Sequence, residues 1–370
     1  MRRRTFLTGA AVTAASVSGL TAGTATAQQL GSPPLALPRP TGGHPIGLTV
    51  LHLRDTSRTD PWVPTGKREL MVSLWYPARR PSGPTAPYMT AAESTLYLAS
   101  SGYDLPLDVL SGVRTHAIEG ARPVRPRAGL PLVVLSPGFG MPRATLSGLA
   151  EELASRGFAV AAVGHNYEAH GTTFPDGRTT DREADRDFPK VGAVRAADVT
   201  FVLDELTATR CELRTGVRVD GSRIAMAGHS AGGFSTVPAM VRDPRVRAGL
   251  NMDGDFHYPN DVPLDRPYLM LGRPNRTPGA PNPSWDETWP ELTGWKRWLS
   301  VDGVQHLSFT DVAPLAKQLG LGLQDLDGDR ADALTRAYVA AFADAHLRGR
   351  HTALLDGPSA RFPEVRFHSP

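Results

Sequence analysis

Cysteine is almost missing from this chain of 370 residues, with Cys211 the one example. No internal disulfide can form, and no cysteine cluster offers a structural metal site in its place. Stability has to come from a buried core. Charge of one sign is also missing, since 40 basic residues stand against 37 acidic ones. Three of the basic residues are Arg2, Arg3 and Arg4, and without them the balance is 37 to 37. The basic residues are nearly all arginine, and no basic stripe with interleaved aromatics runs along the chain. That excludes nucleic-acid binding as the expected role. Long apolar runs are absent too. The weakly apolar stretch after the leading arginines reaches only about Leu20 and is rich in Thr, Ser and Gly, too poor a segment to remain in a bilayer.

That leading stretch reads instead as an address. Met1-Arg2-Arg3-Arg4-Thr5-Phe6-Leu7 matches a twin-arginine export signal, and Ala25-Thr26-Ala27 fits a small-residue cleavage site. Residues 1–27 are therefore expected to leave and the remainder to be secreted. Residues 28–45 read as a loose Pro- and Gly-rich leader, 46–350 as one domain, and 351–370 as a tail. No internal repeat and no second domain is visible.

Within 46–350 two periods alternate. Ile46–Leu53 and Glu69–Tyr76 read as opening strands, the second with Leu70, Val72, Leu74 and Tyr76 at every other position. Continuous apolar strands follow at 132–135, 158–163, 223–227, 248–252, 268–271 and 297–301. Between them lie helical stripes such as Leu146, Leu149, Ala150 and Leu153, and a closing helix carries Leu334, Tyr338 and Phe342 on one face. Strands without alternation, separated by amphipathic helices, predict an α/β fold: a mostly parallel twisted sheet of about eight strands in a three-layer sandwich. The stretch 90–112 reads as helical. It and the tryptophan-bearing connection 274–296 are candidate lid or pocket segments.

Gly228-His229-Ser230-Ala231-Gly232 falls where the strand 223–227 turns into a helix. A serine at that junction sits on a strained turn with its hydroxyl exposed, and the flanking glycines keep side chains out of the crowded bend. Serine needs a base to act as nucleophile and a third group to hold the base. His306, beyond the strand 297–301, is the candidate base. Asp253, at the end of strand 248–252, is the candidate acid, because active sites gather at the carboxyl ends of parallel strands. Asp255 and Asp286 remain alternatives, and His257 reads as a loop residue. For the oxyanion that attack creates, the backbone N–H of Ala231 and that of Phe139, in Ser136-Pro137-Gly138-Phe139-Gly140, are the candidate donors. Cys211 has no such elbow. Asp325-Leu326-Asp327-Gly328-Asp329 resembles a calcium loop, but its glycine is misplaced and the closing glutamate is missing, so it reads as a cap for the last helix.

Together these residues resemble the plasma (type II) platelet-activating factor acetylhydrolase family of the α/β-hydrolase fold. The match runs over most of 46–349. It includes Leu74-Trp75-Tyr76-Pro77, Leu132 to Gly140, Ala154 to Val160, Gly228 to Gly233 and Leu250-Asn251-Met252-Asp253. The resemblance implies Asp253 rather than Asp286 as the acid, His306 as the base, and Phe139 and Ala231 as oxyanion donors. Pro137 stands where the family's animal members carry a histidine. It also implies a reaction needing no metal or cofactor and a substrate that is a small-molecule or lipid ester, with short or oxidised acyl chains. The apolar residues of the candidate lid or pocket segments, Leu96 and Leu98 among them, suggest transient contact with a lipid surface. A cutinase- or lipase-like polyesterase, a general carboxylesterase and a non-catalytic binder on the same fold are the alternatives.

Overall fold

The computed structural model describes residues 34–79, 82–257 and 263–369. Residues 1–27, the expected export signal, and the first part of the leader lie outside them. The strands are β1 (Ile46–Thr59), β2 (Lys67–Pro77), β3 (Ile118–Glu119), β4 (Leu130–Ser136), β5 (Ala159–His165), β6 (Thr172–Thr173), β7 (Thr179–Thr180), β8 (Val219–His229), β9 (Val246–Met252), β10 (Tyr268–Gly272), β11 (Lys296–Val301) and β12 (Val365–His368). The helices are α1 (Ala91–Ser101), α2 (Ser147–Ser155), α3 (Phe188–Thr207), α4 (Thr209–Thr215), α5 (Ala231–Phe234), α6 (Thr236–Arg242), α7 (Ser284–Thr288), α8 (Val312–Gln318) and α9 (Gly328–Arg348). None of the described helices is long and apolar enough to cross a membrane.

One ten-stranded sheet runs in the order β12-β11-β10-β9-β8-β4-β5-β2-β1-β3. The six strands from β11 to β5 are parallel. β2 joins β5 antiparallel and β1 pairs β2 as a hairpin. This is the α/β-hydrolase architecture expected from the sequence. The eight strands read there are all present, and β3 and β12 are added.

Both faces of the parallel strands are covered, which is why those strands show no alternation of polar residues, whereas β1 alternates buried and exposed positions. On β4, Val133 and Leu135 face a core shared with Leu149 and Leu153 of α2 and Leu334, Tyr338 and Phe342 of α9. Leu132 and Val134 face the other core, with Val199 and Leu203 of α3 and Val237 and Met240 of α6. Leu153 is wholly buried, so Leu153→Ala should cost about 2–5 kcal/mol through lost burial and a cavity.

Three segments differ from the sequence reading. The described part of the leader, 34–45, is pinned rather than loose. Leu37 is buried, its N–H bonds to the Arg114 carbonyl, and Thr41 donates to Glu152 through both its N–H and its hydroxyl. The tail 351–370 is also structured, because β12 pairs antiparallel with β11 and closes that edge. In 90–112 only α1 is an α-helix. It ends at Gly102, whose φ of 75° is the left-handed cap a glycine allows, and Pro106 follows.

The chain leaves β4 for β5 on one side and then crosses back to place β8 on the other. In open α/β sheets such a reversal opens a crevice at the carboxyl ends of the strands. Ser136 ends β4, His229 ends β8 and Met252 ends β9 there, on neighbouring strands.

Candidate active site

The turn after β8 carries Ser230 at φ 54° and ψ −116°, a left-handed conformation for a residue with a side chain. The surrounding glycines are needed for space. A Cβ on Gly232 would lie 1.9 Å from the Ser136 carbonyl oxygen, and one on Gly233 2.1 Å from Asn251 Oδ1. One on Gly228 would lie 2.2 Å from the Gly232 carbonyl. The turn is thus wedged against β4 and β9 and cannot relax. The Ser230 N–H bonds to the Met252 carbonyl at 2.8 Å, tying it to the end of β9.

Asp253 follows Met252 directly and is also left-handed, at φ 58°. Asn251 makes that possible by clasping Gly254, accepting from its N–H at 2.8 Å and donating to its carbonyl at 2.9 Å. A Cβ on Gly254 would sit 2.2 Å from the Ser230 carbonyl, so the two turns are packed backbone to backbone. His306 arrives from β11 through the Gly303 turn. Its Nε2 lies 2.9 Å from Ser230 Oγ and its Nδ1 2.5 Å from Asp253 Oδ2. The structure brings together the three side chains named from the sequence.

The Asp253 carboxylate has further partners. The Arg273 N–H and Arg276 Nε donate to its Oδ1 at 3.1 and 3.2 Å, and Arg273 Nε stands 2.9 Å from Oδ2. Burial works to raise this carboxyl's pKa. The hydrogen bond from His306 and the charges of His306, Arg276 and Arg273 outweigh it and hold the group below the usual carboxylate range. Asp255, one of the alternatives, pairs instead with Arg276 and accepts from Asn282 at 2.8 Å. Asp286 accepts from the Gly279 N–H in an exposed turn. His257 stacks on Phe188 with ring centroids 4.7 Å apart.

His229, Asn251, Arg273 and Arg276 were not singled out from the sequence. His229 is fully buried, and its Nε2 donates to the His306 carbonyl at 2.7 Å. Burial first, and then the neighbouring His306, push its pKa down to about 3, so the ring is neutral at working pH. Position was the signal for three of them: His229 adjoins Ser230, Asn251 lies at the carboxyl end of β9, and Arg273 directly follows β10; Arg276, four residues beyond β10, carried none.

The two expected oxyanion donors lie on either side of this junction. Ala231 opens α5 beside Ser230, and Phe139 lies in the turn after β4. Neither backbone N–H has an acceptor among the described residues. A cavity of about 310 Å³ begins at Phe139 and Leu307 and runs between α1, the 102–110 loop and α8. Tyr97, Tyr103, Leu105 and Leu315 form much of its wall, with Arg182 and Arg186 at one side. The stretch 90–112 thus lines the cavity. The connection 274–296 does not: Trp285 and Trp289 pack on Trp298, and Trp295 packs on Phe342. The calcium-like turn is a helix cap, in which Asp327 accepts the N–H groups of Asp329 and Arg330 and Lys317 bridges Asp327 and Asp329.

Residues 32–204 match the family model described as platelet-activating factor acetylhydrolase, isoform II. A probable 1-alkyl-2-acetylglycerophosphocholine esterase of Arthroderma benhamiae is 28% identical over 383 residues, covering 90% of this chain and 93% of that protein. A solved structure of a ferulic acid esterase from Streptomyces cinnamoneus superposes with a TM-score of 0.81 at 46% identity, covering 91% of this chain and all of the other. Cutinase 2 of Thermobifida cellulosilytica is 30% identical over 142 residues, 38% of this chain and 45% of the cutinase.

Proposed function

The chain belongs to the platelet-activating factor acetylhydrolase isoform II family and is a serine carboxylic-ester hydrolase, and from that premise we propose that Ser230, His306 and Asp253 perform the cleavage. One observation carries the reading: a single imidazole lies 2.9 Å from a strained serine hydroxyl and 2.5 Å from a buried carboxylate. Ser230 Oγ attacks the ester carbonyl carbon while His306 Nε2 takes its proton. Asp253 keeps the other ring nitrogen protonated and offsets the imidazolium charge. The carbonyl oxygen becomes an oxyanion and receives the N–H groups of Ala231 and Phe139. Collapse expels the alcohol with the proton from His306, leaving an acyl-enzyme. Water, deprotonated by the same ring, then releases the acid. No step calls for a metal or cofactor.

The cavity beside Phe139 is proposed to take the acyl group. Its volume suits a short chain better than a long one, which supports the short or oxidised acyl esters expected from the family. Its wall of Tyr88, Tyr97, Tyr103 and Phe139 favours a second reading, a compact aromatic acyl group, which the likeness to the ferulic acid esterase supports. Export by the twin-arginine route, followed by cleavage after Ala27, and brief contact with a lipid surface complete the proposal.

A fluorophosphonate probe tests the nucleophile. Wild type should label, and Ser230→Ala should not. Labelling that survives Ser230→Ala refutes the assignment. A panel of p-nitrophenyl acetate to palmitate, a short-chain phospholipid and methyl ferulate tests the pocket. Turnover should peak at short acyl or feruloyl esters. Fastest cleavage of palmitate would overturn it.

A further inference from the structure

Behind the oxyanion loop lies a second Ser–His–Asp array that no ester can reach. Ser136 Oγ is 2.9 Å from His165 Nε2, and His165 Nδ1 is 2.9 Å from Asp198 Oδ2. All three are buried. Arg68 binds Asp198 through two nitrogens, at 3.0 and 2.6 Å, and also pairs with Asp60. Burial works to raise the Asp198 pKa, but Arg68 and the hydrogen bond from His165 hold it far below the usual carboxylate range. Asp198 is therefore an acceptor, His165 donates to it from Nδ1, and the free Nε2 accepts the Ser136 hydroxyl proton. The Ser136 oxygen is left to accept from Arg195 Nη1 at 3.2 Å.

Arg195 joins this array to the loop. The same Nη1 donates to the Pro137 carbonyl at 2.5 Å, and its Nε donates to Glu168 Oε2 at 2.7 Å. Glu168 in turn holds the loop's far end, because its carbonyl accepts the Gly140 N–H at 3.0 Å. The Gly140 carbonyl accepts from the His170 N–H at 3.0 Å. The residue before Glu168, Tyr167, is left-handed at φ 64°, and its carbonyl is clasped by the N–H groups of Glu183 and Ala184. Strain of that kind persists where the surroundings fix a geometry. Arg195 and Glu168 are both fully buried, and a buried ion pair is often worth no more to stability than well-packed apolar residues. His165, Glu168 and Asp198 also lie close enough together to resemble a metal site. The guanidinium groups of Arg68 and Arg195 already meet those carboxylates.

We propose that Arg195 and Glu168 are positioning residues for ester cleavage, gripping the loop 137–140 at Pro137 and Gly140 so that the Phe139 N–H between them stays aimed at the oxyanion. The proposal rests on the reading of Ser230 as nucleophile and Phe139 as donor. They act only when the carbonyl oxygen acquires charge. Their loss therefore lowers kcat and leaves substrate binding nearly intact.

The test uses the full chain with Arg195→Gln, Arg195→Lys, Glu168→Gln and Ser136→Ala. Three quantities are measured: kcat and KM on p-nitrophenyl acetate, thermal midpoint, and affinity for an alkyl trifluoromethyl ketone. Ser230 Oγ adds to that ketone's carbon, its proton passes to His306, and the resulting hemiketal oxygen carries the charge that the loop must meet. Deleting an oxyanion donor outright costs ~10²–10³ in kcat. Arg195→Gln, which leaves the donor but loosens it, should cost roughly tenfold to a hundredfold, with KM within about threefold and ketone affinity falling by the same factor as kcat. Arg195→Lys and Glu168→Gln should lose less, since each keeps a hydrogen bond, and they carry the same test if Arg195→Gln does not fold. A folded variant with kcat within twofold of wild type overturns the proposal. So does a kcat loss with unchanged ketone affinity, or one that tracks the thermal midpoint alone. A wild type that fails to label with fluorophosphonate would instead refute the Ser230 reading.

Discussion

His229→Leu isolates one hydrogen bond at the centre of the site. In the native protein the His229 Nε2–H donates to the His306 carbonyl at 2.7 Å, and its Nδ1 has no partner among the described residues. Leucine therefore removes one bond only and strands the His306 carbonyl. A lost bond is worth about 0.5–1.5 kcal/mol, and a stranded buried acceptor costs about 1–3 kcal/mol, so a net loss of about 1–3 kcal/mol is expected. At about 2–4 °C per kcal/mol the thermal midpoint should fall by roughly 2–12 °C. Activity should suffer more. The carbonyl belongs to the residue whose ring must stay 2.9 Å from Ser230 Oγ, and misplacing a catalytic group by about 1 Å costs on the order of 10²-fold. We expect kcat on p-nitrophenyl acetate to fall roughly tenfold to a hundredfold. His229→Gln, whose amide can donate to the same carbonyl, should recover most of it. A His229→Leu enzyme with wild-type kcat would show that the loop holds His306 without this bond, and the reasoning would fail.

Other outcomes follow from the same geometry. Asp253→Asn should cut kcat by several orders of magnitude through the wrong histidine tautomer, and Asp286→Asn should leave it unchanged; the reverse pattern would move the acid to the later strand. Gly232→Ala places a Cβ 1.9 Å from the Ser136 carbonyl and should destabilise by on the order of 3 kcal/mol or more, read as a fall in urea midpoint; an unchanged midpoint would refute the close packing. Leu105→Trp, on the cavity wall, should shift preference toward acetate, with about 10-fold or greater loss on longer acyl esters; an unaltered chain-length profile would place the acyl group elsewhere. The last concerns acid. Burial holds the His346 pKa down to about 4 from an ordinary 6.5, so the unfolded chain binds the proton first. The stability that this neutral ring contributes is present above pH 6.5 and is lost as pH falls through about 4. His346→Phe should flatten that part of the stability curve in urea titrations, and parallel curves would refute it.

The sequence was most informative where one local rule sufficed. The six parallel strands were legible because burial on both faces removes polar residues from them, and β2 because its apolar residues fall at every other position. Ser230, Asp253 and His306 were legible because an elbow and two strand ends fix their places along the chain. What escaped depends on partners far away in sequence. Nothing near Arg195 announces that its guanidinium meets Pro137, 58 residues earlier. Arg276 gives no local hint of Asp253. The pinned segment 34–45 owes its order to Glu152 and Ser155 on α2, acceptors no leader sequence can advertise. β12 is four residues long and pairs only at an edge, too little for periodicity to register. The stretch 90–112 reads as helical, but Gly102 and Pro106 stop the helix, and Leu105 and Leu110 line a cavity instead while Leu107 is exposed.

The left-handed backbone at Ser230 and Asp253 has an evolutionary corollary. Glycine would relieve the torsional penalty at Ser230, and a screen that rewarded heat resistance alone would favour it there, yielding a sturdier but inert body. At Asp253 the same exchange would take a carboxylate away from the buried Arg276 guanidinium and cost more than the strain it removes. Engineering this enzyme for durability therefore needs activity scored alongside melting, with these two codons kept out of the library.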